Sequence, residues 1–302
     1  MPKQAFAKLA TTVEDQLKIL RSRGMQIDDE SVAIEFLQHV SYYRLAAYWR
    51  PLELDSTSHV FQPGSTFEDV AELYTFDREL RLLLLDAIEH IEVSFRCNWA
   101  HNLALEAGPH AHLDQSMVKN ETRWRQFLGA LLYDLSRSRE VFIQHLQKTY
   151  GELTPPIWAV SEVLTLGTLS KWYENIGPKR VKSRIANNYH VNEQILESWC
   201  RHLTYVRNIC AHHSRLWNRD FTITPAIPKS RTSELRNDFV IGSRGIYNTL
   251  VIVLYLVDQI SPRHSFRERL FCLINNQRVS ITAGMGFPDD WQLRNIWKLR
   301  HP

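Results

Sequence analysis

Along most of this chain apolar positions recur at spacings of three and four, and strand-type alternation is scarce. The clearest run is Leu73, Phe76, Leu80, Leu84, Ile88, Ile91 and Phe95, which stripes one face of a helix. Thr66 precedes it as an N-cap, and Glu68 and Asp69 fall in the first turn, where negative charge suits the helix dipole. The pattern predicts a helix of roughly thirty residues or more, carrying Asp77, Arg78, Arg81, Glu89, Glu92 and Arg96.

Upstream, residues 12–23 read as a helix capped by Thr12 and stopped by Gly24. A second helix runs from Asp28 or Asp29 through Phe36, Leu37 and Val40 towards Tyr42, Tyr43, Arg44 and Leu45, and residues 55–64 read as a loop. Downstream, 124–150 is expected to be one helix, broken from 157–166 by Pro155 and Pro156. Gly167 is expected to separate that helix from the next, 169–176. Asn192 caps a helix holding Leu196, Trp199, Leu203, Val206 and Cys210, and after Pro225 and Pro228 two more helices cover 243–260 and 262–275. The fold class is therefore all-α. The expected organisation is an N-terminal helical region, 1–62, a helical domain, 63–275, and a C-terminal extension, 276–302.

Composition adds bounds. With 302 residues, 44% of them hydrophobic, the chain can bury a substantial core. Thirty-six Lys and Arg against 33 Asp and Glu leave a net charge of +3, which neither demands nor excludes nucleic acid, so the local distribution decides. Four scattered cysteines without a CxxC pair argue against a zinc ribbon or a disulfide framework and fit a reducing cytoplasm. The first residues lack the apolar core of a signal peptide, and the most apolar stretch, 250–257, is too short to span a bilayer. We expect a cytoplasmic protein with no membrane, metal or cofactor.

Charge is concentrated in two places. Lys179, Arg180, Lys182 and Arg184 lie in a stretch with no acid between Asn175 and Asn192. From Arg201 to Arg219 there are four Arg (Arg201, Arg207, Arg215, Arg219), three His (His202, His212, His213) and no acid, with Tyr205 and Trp217 interleaved. Such a patch suits phosphate backbones, and aromatic rings beside it can stack on unpaired bases. The competing reading is a solvated helix face.

Within that patch Asn208 and His212 are four residues apart, on one helix face, with Arg207 beside them. An imidazole moves protons near pH 7, and a guanidinium stays charged while its fork of donors holds phosphate oxygens. These are the parts needed for RNA cleavage without a metal, in which a ribose 2′-hydroxyl attacks the adjacent phosphorus and leaves a 2′,3′-cyclic phosphate. Spacing alone is unspecific, since Arg96/His101, Arg139/His145 and Arg184/His190 satisfy it too. His213 also stands at a permitted distance from Arg207. Glu92 and Arg96, one turn apart, read either as an intrahelical salt bridge or as support for the Arg–His motif. Cys210 reads as a buried filler, and Tyr42, Tyr43 and Trp158 as core aromatics.

The motif Arg207-Asn208-x-x-x-His212 resembles the RNxxxH signature of HEPN ribonucleases. Its surroundings resemble the Abi-like proteins of bacterial abortive infection, the AbiD/AbiF group. The matching segments run in order: the stretch at Ser41–Leu45, that from Leu73 to Arg81, that from Ile88 to Arg96, and those beginning at Ser138, Pro156 and Val206. The resemblance implies a HEPN-like helical bundle, a toxin role in anti-phage defence, and His212 rather than His213 as the motif histidine. It implies a homodimer, because HEPN sites form where two such domains meet and this chain shows one copy. It also implies RNA as substrate, and a structured non-coding RNA as restraining partner. A non-catalytic RNA-binding module using the same basic groove is the competing function.

Overall fold

The computed structural model describes residues 9–55, 57–229, 234–278 and 280–298. It divides into two compact units, 1–80 with 272–281 and 81–271 with 282–302.

In the first unit, Thr12 accepts the Asp15 N–H at 3.2 Å and starts α1, Val13–Ser22. Asp29 takes the N–H groups of Ser31 and Val32 at 2.9 and 3.2 Å and starts α2, Glu30–His39. The single helix expected from Asp28 to Leu45 is two. Ser41 adopts φ 75° and its hydroxyl caps a new helix, α3, Tyr42–Trp49. The long helix forms as expected: α4, Phe67–Ala107, is 41 residues long, and the division between the units falls inside it. Leu17, Leu20, Leu37, Leu45, Trp49, Phe61 and Phe76 are buried. Buried Asp77 accepts a hydrogen bond from the Tyr48 hydroxyl at 2.7 Å, a structural role. Tyr42 packs edge-on against Trp49, but Tyr43 is 89% exposed and is no core residue.

In the second unit the helix expected over 124–150 is also two, α5, Glu121–Arg137, and α6, Val141–Thr149. Ser138 and Glu140 are extended between them, and the Ser138 hydroxyl accepts the Glu140 N–H, an alternative to helical bonding. After the two prolines come α7, Ile157–Val163, and α8, Leu166–Glu174, capped by Thr165. Gly167 lies inside α8 and does not separate two helices. A Cβ there would sit 3.1 Å from the Thr204 methyl group, so the glycine permits close packing on a neighbouring helix.

That neighbour is α10, Glu193–Ala211, preceded by α9, Lys179–Asn187. Three further helices follow: α11, Leu235–Asp238, α12, Tyr247–Ile260, and α13, Phe266–Asn275. The apolar stretch 250–257 lies within α12 and is almost wholly buried, Tyr255 being half-buried. Among the described residues there are thirteen α-helices and no extended pairing beyond isolated bridges, so the chain is all-α. No described helix is long and apolar enough to cross a membrane.

Candidate functional site

Helix α10 builds the site. Asn192 accepts the Ile195 N–H at 2.9 Å and fixes the start of the helix. Ile195, Leu196, Trp199, Cys200, Leu203, Val206, Ile209 and Cys210 bury one face, which leaves Arg201 and Asn208 exposed and Arg207 half-buried. Cys210 is the buried filler its context suggested.

The helix closes on the motif. The N–H of His212 donates to the Asn208 carbonyl at 2.9 Å, that of His213 to Cys210 at 3.0 Å, and that of Ser214 to Ile209 at 2.9 Å. The last two bonds form a Schellman turn, whose left-handed position usually holds glycine. Here it holds His213, at φ 56°. His212 and His213 are therefore the residues on which α10 ends, and both are exposed. Arg207 lies in the last turn, with its guanidinium 3.5 Å from the Asn208 side-chain oxygen. Arg207, Asn208 and His212 thus share one solvent-facing helix terminus.

Several neighbours do not join them. His202 is buried, with Nδ1 2.6 Å from the Ile223 carbonyl oxygen and Nε2 2.8 Å from the Thr249 hydroxyl. Burial pushes its pKa down to about 4, so it is a neutral core residue near pH 7. Trp217 is buried, and a Cβ on Gly284 would lie 3.1 Å from its indole, so it is a packed ring and not a platform for bases. Half-buried Tyr205 sits edge-on to Phe221, and half-buried Arg215 accepts a hydrogen bond from Arg219 on its backbone carbonyl at 3.2 Å.

The acid-free stretch of α9 meets acids in space. Lys179 lies 3.5 Å from Glu193. Arg180 donates through Nε to Glu106 at 2.7 Å, and Arg184 reaches the same carboxylate at 2.8 Å. These two guanidinium hydrogen bonds hold Glu106 below the usual carboxylate range. Lys182 pairs with Glu197, donates to the Glu174 carbonyl at 3.1 Å, and lies over the Tyr173 ring. Arg201 lines a small cavity of about 200 Å³ with Glu174 and Glu197. The concentrated positive region expected over 179–184 and around Arg201 is therefore largely neutralised by Glu106, Glu174, Glu193 and Glu197. Sequence reasoning missed these carboxylates because Glu106 is 74 residues from Arg180 and the others flank the stretch.

Glu92 and Arg96 form the intrahelical ion pair, and both are mostly buried. Arg96 also donates to the backbone carbonyls of Glu162 and Leu164 at 3.3 and 2.8 Å, where α7 ends. These two bonds engage carbonyls at the end of α7 and tie α4 to that helix. Asp86, Glu89 and His90 form a group of metal-ligand type among the described residues, but they are exposed and Asp86 is engaged by Arg269 at 2.6 Å.

A family model described as Abi-like protein matches residues 35–218, more than half of the chain. No curated protein and no solved structure gives a match.

Proposed function

This chain belongs to the Abi-like protein family, whose name links it to abortive infection, and from that premise we propose that it is a HEPN-type endoribonuclease acting in anti-phage defence. The observation that supports this reading best is the contrast between the two basic stretches. The cations of α9 meet carboxylates, whereas among the described residues neither Arg207 nor His212 forms an ion pair. A phosphodiester can approach the end of α10 without first displacing an acid.

The chemistry follows from the side chains. The ribose 2′-oxygen forms a bond to phosphorus as the bond to the 5′-oxygen breaks, leaving a 2′,3′-cyclic phosphate and a free 5′-hydroxyl. His212 takes the 2′-hydroxyl proton or supplies one to the departing 5′-oxygen. Arg207 donates to the non-bridging oxygens as charge grows on them, and Asn208 steadies the guanidinium. The step needs one group to accept the 2′-hydroxyl proton and another to supply a proton to the 5′-oxygen, so the reading includes a homodimer in which a second copy brings its own Arg and His. A structured non-coding RNA is the restraining partner it proposes.

Purified protein is expected to cut total cellular RNA in the presence of EDTA. Arg207→Ala and His212→Ala should each lower the rate by about 10²–10⁴-fold while circular dichroism is unchanged. Cleavage that survives both substitutions sinks the assignment. RNA bound tightly and never cut would instead favour a non-catalytic binding module.

A further inference from the structure

Between α6 and α7 the second unit holds a cavity of about 430 Å³, within the range of roughly 300–1,000 Å³ typical of small-molecule sites. Two large rings line it, Tyr150 and Trp158, which are 59% and 55% exposed. Trp158 was expected in the core and is not there. Neither ring packs on another aromatic ring among the described residues, and more than half of each residue is open to solvent. Leu146, Pro155 and Pro156 complete the apolar lining.

The walls are fixed from behind. His110 Nε2 lies 3.1 Å from the Thr154 carbonyl oxygen and His112 Nε2 2.7 Å from the Thr154 hydroxyl. The Ile157 N–H donates to the Pro109 carbonyl at 2.7 Å, and the Trp124 indole N–H to the His112 carbonyl at 2.9 Å. With prolines at 109, 155 and 156 the cavity is preformed, which lowers the entropic cost of binding.

Besides Thr154, which the two histidines engage, the polar lining consists of the Gln147 amide, the Glu152 carboxylate and the His110 ring, donors and acceptors together. No Lys or Arg lines it, and Glu152 would repel a phosphate placed inside. The lining therefore suits a flat group that carries no negative charge of its own and has a mixed donor–acceptor edge, as a nucleobase does. We infer that this cavity binds one unpaired nucleobase, stacked on Trp158 and Tyr150, with its phosphate held outside. The base can come from a free nucleotide or from a single strand of RNA. The inference stands apart from the chemistry at Arg207 and His212.

The test is calorimetric titration of the full chain, in a His212→Ala background so that no strand is cut. The ligands are AMP, GMP, CMP, UMP and a short single-stranded RNA. At least one mononucleotide should bind saturably. Trp158→Ala and Tyr150→Ala should each weaken that binding by about ten-fold, and Trp158→Phe should retain it. Because both side chains are exposed, the variants should keep the parent's melting temperature. RNA affinity that falls in parallel identifies a strand as the source of the base, and RNA affinity that does not fall identifies the free nucleotide. The inference is overturned if no mononucleotide saturates, or if binding ignores both alanine substitutions. Neither result depends on whether Arg207 and His212 cleave RNA.

Discussion

His213 sits in the left-handed backbone region, where a side chain with a Cβ costs about 1 kcal/mol relative to glycine. That makes His213→Gly an informative substitution. It keeps the Schellman turn, relieves the backbone cost of the left-handed position and removes the imidazole. With His212 as the proton-transfer residue, His213→Gly should cut RNA at near the parental rate. A rate loss of about 100-fold or more in a variant that is no less stable would move the role to His213. The spacing of Arg207, Asn208 and the two histidines was legible in the sequence. The helix end was not, because the usual terminating glycine is missing and a histidine closes the turn.

At the scale of elements, apolar periodicity located nearly all the helices, yet it ran through breaks made by single polar residues. Ser41 and Ser138 look harmless in a periodic pattern, but each hydroxyl bonds to a nearby backbone N–H and competes with the helical ladder. Charge was less legible still, since pairing across the fold does not show in a linear run. Glu106 is the clearest case, as one carboxylate serves both Arg180 and Arg184. If RNA also tracks along α9, Glu106→Gln should free both guanidinium groups and tighten RNA binding several-fold at low salt, with the gain vanishing at high salt. A salt titration of affinity measures this, and unchanged or weaker binding would confine RNA contact to the end of α10. Packing makes a separate prediction. The space at Gly167 is closed by Thr204 from α10, so Gly167→Val should overpack the contact and cost about 1–3 kcal/mol in urea denaturation. A neutral result would mean that α8 can shift at no cost.

On the scale of the whole molecule, pH should govern stability through two histidines that the second unit buries. His112 and His202 both have pKa values pushed down to about 4, in each case first by burial and, for His112, also by neighbouring His110. Each is neutral when folded, whereas the unfolded chain protonates near 6.5. Between those values the unfolded state binds more protons, so stability must rise with pH there and fall on acidification. The contribution is fully present above about pH 6.5, and by pH 5 each group should have lost about 2 kcal/mol. Asp238 opposes this, because burial raises its carboxyl, but it is one group against two. The lowered carboxyls of Glu174 and Glu193 act with the histidines, at lower pH. Unfolding near pH 5.5 should therefore take up about two protons, measurable by calorimetry in buffers of different ionisation enthalpy, and the melting temperature should drop from pH 7 to pH 5. Stability that is flat or increasing over that interval would mean that one or both imidazoles reach solvent, and that the Thr154 and Thr249 contacts holding them are not kept in solution.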